Sequence, residues 1–228
     1  MPSYKKILDT FLFSENEIHL EKFHVDRVFE TYQFLKTPVN RSEIENIYAG
    51  IKKQLVSEIS SENSSENSGT NTLVRVTLDP VRPHKHTVEV KTPESLSTPV
   101  RLVLTEALQP FSEVTQYKFA DRKEWDLLFN SRPEGSDDVL LVRNGTVIET
   151  SRFNLFLHDR KNNVVLTPTL KSGCLNGVYR RHALSQGYVE LPEAGKVAVK
   201  EKDFTLEDLQ DCQLYVANSV RGILPALV

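Results

Sequence analysis

Lys118 is the residue of this chain with the most chemistry to offer. It sits in Tyr117-Lys-Phe-Ala-Asp-Arg122, between a strand end and a helix. Aromatic neighbours strip water from an ammonium, desolvation lowers a lysine's pKa, and the neutral amine attacks aldehydes to form a Schiff base. Downstream, Glu149 closes the strand Gly145-Thr-Val-Ile-Glu149 and leads into Thr-Ser-Arg-Phe-Asn154. It is either a solvated strand-end acid or a buried anion paired with a cationic ligand, a pairing that low dielectric strengthens. Thr167-Pro168 and Leu175-Asn-Gly-Val-Tyr-Arg180 follow. Gly177 permits close backbone approach, and a helix opening there would aim the N–H groups of Val178 and Tyr179 at an anion. Asn218-Ser-Val-Arg-Gly-Ile-Leu-Pro225 is a further turn. Taken singly, these read as a surface lysine, an ordinary acid, a helix cap at Asn176 and a plain turn at Ser219.

In this order and spacing, the segments resemble the class IV (fold-type IV) pyridoxal-phosphate enzymes. That family holds branched-chain and D-amino-acid aminotransferases and 4-amino-4-deoxychorismate lyase. Pyridoxal 5'-phosphate needs a lysine for its aldehyde, a carboxylate for its ring nitrogen, an anion site for its phosphate and open space on one ring face. The resemblance implies that Lys118 carries the cofactor and that Glu149 holds the ring nitrogen. Glu149 stands five residues before Asn154, which opens an apolar strand as in the family. It also places Gly177, Val178 and Tyr179, the Ser219 hydroxyl and the Val220 N–H at the phosphate. Arg27, in His24-Val-Asp-Arg27, matches the family's His-x-x-Arg helix, whose arginine reaches the phosphate.

The likeness is densest from Tyr117 to Pro225. Lys118-x-x-x-Arg122 and Asn218-Ser-Val-Arg-Gly look like the lyase side, which makes p-aminobenzoate and pyruvate for folate synthesis. An amino-acid aminotransferase and a non-catalytic protein of the same fold are the alternatives. Arg82 and His84 fall near positions that bind substrate carboxylates in family aminotransferases. Arg152 and Phe153 stand where the family usually has small residues, which either narrows the ring's surroundings or marks a changed substrate contact. Typical members carry an extra strand pair ahead of the segment that here starts at Ile7, so substrate pocket and dimer contacts are expected to differ. The resemblance further implies a small amino substrate and a homodimer.

Other features carry less. His84-Lys-His86 has no third ligand in sequence and reads as solvated, so no metal site is expected. Cys174 and Cys212 lack metal or CxxC spacing and read as reduced thiols of a cytoplasmic protein. Trp125 reads as a core or interface residue. With a formal net charge of −3 and no basic run, nucleic acid is not an expected partner. No apolar run approaches the ~20 residues of a membrane-crossing helix.

The elements that must position these residues read as two α/β lobes, an α/β (α+β) fold class. Residues 1–106 form a small α+β domain: a strand at 7–13, a helix over 20–35, and a second helix opened by a capping box at Ser42-Glu-Ile-Glu45. Strands follow at 73–78, 87–90 and 100–104. The polar tetrapeptide repeat near 58–72 lacks apolar surface and reads as a disordered loop. Residues 107–116 form the linker. The cofactor-binding domain, 117–228, holds helices near 122–129 and 176–186 and strands at 138–143, 146–150, 153–158, 163–166 and 212–217. Asn144-Gly145 is its hairpin turn, and Thr205-Leu-Glu-Asp208 a second capping box.

Overall fold

The computed structural model describes residues 6–62, 71–92, 94–107 and 113–228. Most of the polar repeat expected as a loop, and residues 108–112 of the expected linker, lie outside them. The chain divides into two compact units, Met1–Glu94 with Lys118–Asp121, and Ser95–Tyr117 with Arg122–Val228. The boundary expected at residue 106 is thus displaced at both ends. The strand at 100–106 pairs within the second unit, while Lys118 and its neighbours pair within the first.

The first unit is a four-stranded antiparallel sheet, order β2-β1-β3-β4, with two helices on one face. Its strands are β1 (Ile7–Ser14), β2 (Glu17–Ile18), β3 (Thr72–Leu78) and β4 (His86–Lys91). Side chains alternate across a strand, so Ile7, Phe11 and Phe13 of β1 and Val74, Val76 and Leu78 of β3 point to one side. There they meet Val25, Val28 and Tyr32 of α1 (Glu21–Phe34) and Ile44, Tyr48, Ile51 and Leu55 of α2 (Arg41–Glu62). Each such buried side chain contributes roughly 1.5–3 kcal/mol. The cap of α2 lies two residues before the expected box: Asn40 Oδ1 accepts the Glu43 N–H (3.0 Å), and Glu43 Oε2 accepts the Asn40 N–H (2.8 Å). Residues Lys118–Ala120 join the start of β1 as a short antiparallel segment. The Leu8 N–H donates to the Lys118 carbonyl (2.9 Å) and the Ala120 N–H to that of Lys6 (2.7 Å). Phe119 packs into the helix-side core, which turns Lys118 to the sheet's other face.

The second unit is a nine-stranded mixed sheet, order β10-β11-β9-β8-β12-β13-β5-β6-β7. Its strands are β5 (Val100–Glu106), β6 (Asp138–Arg143), β7 (Thr146–Thr150), β8 (Asn154–Asp159), β9 (Val164–Thr167), β10 (Tyr188–Leu191), β11 (Gly195–Glu201), β12 (Gln213–Asn218) and β13 (Gly222–Leu227). Its helices are α3 (Lys123–Asn130) and α4 (Val178–Gln186). The β6–β7 hairpin turns at Asn144-Gly145, both at positive φ as a type I′ turn requires. The Thr205–Asp208 box is present, with Asp208 accepting the Thr205 N–H, but opens only a single short turn at Glu207–Leu209. Strands β10, β11 and β13 have no counterpart in the sequence reading. Among the described residues no helix is long and apolar enough to cross a membrane, and no cluster of metal-binding side chains occurs.

Candidate active site

In the second unit the chemistry centres on Glu149, near the end of β7 and only 4% exposed. Leu175 N–H donates to Oε2 (2.8 Å) and Trp125 Nε1–H to Oε1 (3.3 Å). Burial pushes the carboxyl up to about 7, against the Leu175 N–H, the Arg122 charge and the Trp125 N–H, which pull it down. The turn after β7 is stitched by buried Asp138, which accepts from the Thr150 hydroxyl (2.9 Å) and from the Ser151 backbone and hydroxyl. Arg122 donates to the Ser151 carbonyl and lies over the Trp125 ring.

The next parts form one interlocked turn. Asn154 opens β8, and its Nδ2 donates to the Leu175 carbonyl (2.8 Å). Its Oδ1 faces Gly177 so closely that a Cβ there would lie 1.9 Å away. Gly177 is therefore required by contact rather than by a positive φ. It precedes α4, whose first turn has no side-chain cap, so the backbone N–H groups of Val178 and Tyr179 open an uncapped helix end. The Tyr179 ring packs edge-on against Phe156. In the turn after β12, Ser219 is buried, while Asn218 Oδ1 accepts the N–H groups of Val220 (3.0 Å) and Arg221 (2.8 Å). The Val220 donor expected at the phosphate is thus engaged inside its own turn. Arg152 stacks on Phe129 (4.0 Å) and donates to the Asp137 carbonyl (2.9 Å), and Phe153 is buried in the core.

In the first unit Lys118 is half-buried, and its Nζ donates to Thr10 Oγ1 at 3.4 Å. On the helix side of β1, Asp9 is fully buried and accepts from His24 Nδ1 (2.8 Å), Arg27 and the Tyr48 hydroxyl. Burial would raise the Asp9 carboxyl, but His24, Arg27 and Tyr48 overcome it and hold it well below the usual range. Arg27 Nε and His24 Nε2 are buried with no hydrogen-bond partner. Arg82 and His84 lie exposed in the β3–β4 turn, where Arg82 pairs with Asp79 at 3.3 Å. The cation placed with Lys118 is instead Arg75, a residue the sequence reading did not single out. It is the direct register partner of Thr10, shares its sheet face, and keeps a buried, unpartnered Nε. Alternation along Leu73-Val-Arg-Val-Thr77 could have found it, since an arginine set among core-facing valines must point to the opposite face.

The family model for amino-transferase class IV matches residues 6–227. The chain belongs to that family. Its members are pyridoxal-phosphate-dependent aminotransferases and lyases, and this chain is an enzyme of that chemistry with the fold-type IV architecture. Among solved structures, the fold IV transaminase of Curtobacterium pusillum is 17% identical with a TM-score of 0.75, covering 97% of this chain and 76% of its own. The 4-amino-4-deoxychorismate lyase of Pseudomonas aeruginosa is 16% identical with a TM-score of 0.65, covering 97% and 82%. At these identities the likeness speaks for the fold. A search of curated proteins finds no match.

The residues of this class IV chain fit pyridoxal phosphate on two observations. Glu149 is a desolvated carboxylate that lacks a cationic partner of full strength, which a protonated ring nitrogen supplies. The Asn154–Gly177 contact leaves a Cβ-free approach to an uncapped helix end, suited to a phosphate. Arg27, expected at the phosphate, is bound to Asp9 on the helix side of the first unit's sheet.

Proposed function

We propose that this enzyme is a 4-amino-4-deoxychorismate lyase, splitting its substrate into p-aminobenzoate and pyruvate. The observation that supports the lyase branch is Arg122. It follows Lys118 at the spacing seen in lyase-like members and is drawn to Glu149 through the Ser151 carbonyl and the Trp125 ring. Bound pyridoxal phosphate supplies an electron sink for negative charge at the substrate carbon that bears the amine.

The chain's own residues do the rest. Glu149 holds the proton on the ring nitrogen and keeps that sink effective. Lys118 Nζ takes the proton from the amine-bearing carbon, and its bond to Thr10 Oγ1 orients the amine. Arg75, on the face that carries Lys118, meets a substrate carboxylate with a planar, doubly donating cation. Overall no atom is gained or lost: the carbon–oxygen bond breaks, enolpyruvate takes up a proton as pyruvate, and the ring becomes aromatic. A lyase needs no second substrate, whereas an aminotransferase must bind two acids in turn.

Product stoichiometry tests this reading. With aminodeoxychorismate alone, pyruvate and p-aminobenzoate should form one to one. Turnover that requires a keto-acid acceptor would replace the lyase with an amino-acid aminotransferase. Arg75→Lys should raise KM far more than it lowers kcat, because it keeps the charge and loses the paired donors.

A further inference from the structure

We infer that Trp125 is a positioning residue for Glu149, its indole N–H fixing one carboxylate oxygen and holding the group ionised to receive a cationic ring nitrogen. This rests on the reading that Glu149 takes that nitrogen. Trp125 lies in the first turn of α3, and its ring packs beside Leu128, Val139 and Leu141. That contact sets the ring, and the ring sets the N–H, 3.3 Å from Oε1. The Leu175 N–H takes Oε2 from a different element. One donor on each oxygen stops the carboxylate turning about its last bond, and each oxygen retains a lone pair for a ligand. The Arg122 guanidinium, 5.9 Å from the indole centroid, withdraws electron density from the ring and sharpens the N–H as a donor.

Among the described residues, few charged and titratable groups face Glu149. Arg122, just before α3, favours the anion; Asp138 of β6 opposes it. Cys174 lies in the turn before α4, and burial pushes its thiol up to about 12, so it stays neutral. With burial pushing Glu149 up to about 7, the Leu175 N–H, the Arg122 charge and the Trp125 N–H together decide its charge at neutral pH. Removing the indole N–H removes a bond to the charged form and leaves the Leu175 N–H and the Arg122 charge.

The test uses cofactor-free protein and two readouts other than turnover. First, carbon-13 resonances of glutamate carboxyls, with Glu149 assigned by its loss in Glu149→Gln, give the titration midpoint directly. Wild type should titrate near 7, and Trp125→Phe about one pH unit higher. Second, Trp125 is the only tryptophan, so wild-type emission should change with the same midpoint and lose that step in Glu149→Gln. An unmoved midpoint in Trp125→Phe, or emission that ignores Glu149, overturns the inference. The fluorescence arm needs no change at Trp125 and stands even if that variant does not fold. Unchanged turnover in Glu149→Gln would instead overturn the functional reading and leave both titrations as they are.

Discussion

Glu149 is held at a cost that the folded protein shows as a pH dependence. Its carboxyl titrates near 4.5 when solvated and is pushed up to about 7 in the fold by burial. Between those values the unfolded chain releases the proton while the folded chain keeps it. Stability of the cofactor-free protein therefore falls as pH rises through that window. At ~1.4 kcal/mol per unit, the loss reaches up to ~3 kcal/mol. Chemical denaturation at about pH 4.5 and about pH 8 should show that loss, and Glu149→Gln should lack it. Equal slopes in both proteins would mean that Glu149 is not the group that titrates. Gly177→Ala makes a second prediction at this scale. The new methyl would collide with Asn154 Oδ1 and break the Asn154–Leu175 tie, costing about 1–3 kcal/mol of stability and weakening cofactor binding together. Intact cofactor affinity by equilibrium titration would show that this turn is not the phosphate cradle. Lys118, Glu149, Asn154 and Gly177 stood out in the sequence through their resemblance to the family's order of segments, since each alone reads as an ordinary residue of its type. Arg75 and the Trp125 bond did not, because a cross-strand neighbour and an indole direction exist only once strands pair.

The elements were read unevenly, and the misses have physical causes. Strand β13 contains Pro225, which cannot donate to a ladder and hides a strand paired to both β12 and β5. In β11, Lys196 and Lys200 on the exposed face and Glu201 at the strand's end leave only Val197 and Val199 buried, a faint alternating signal. The Asp9 cluster shows what element packing adds: one carboxylate on β1 binds His24 and Arg27 of α1 and Tyr48 of α2. Asp9→Ala would strand the Arg27 charge in the core, at a cost of about 3–5 kcal/mol. Urea denaturation measures it, and a loss under about 1 kcal/mol would mean that the cluster does not tie the helices to the sheet.

At the scale of the whole molecule, element order led to the α/β class and the motif resemblance to the family fold, whereas the limits of the two units depended on pairing. Strand β5 joins the second unit through β6 and β13, and the Lys118–Ala120 segment joins the first through one backbone bond to Leu8 of β1 and one to Lys6 just before it. Neither partner is near in sequence, so local pattern carried no signal for either. A homodimer is the proposed assembly, implied by the family likeness. Light scattering under assay conditions should give twice the mass of one chain, and a fully active monomer would refute it. The claim on which the rest depends is that Lys118, among all the lysines here, bonds the cofactor. Reduction with borohydride in the presence of pyridoxal phosphate, followed by peptide mapping, tests it in one step. The pyridoxyl group should be found on the peptide carrying Lys118 and should be lost in Lys118→Ala; a label fixed on another lysine in the wild-type protein would contradict the assignment.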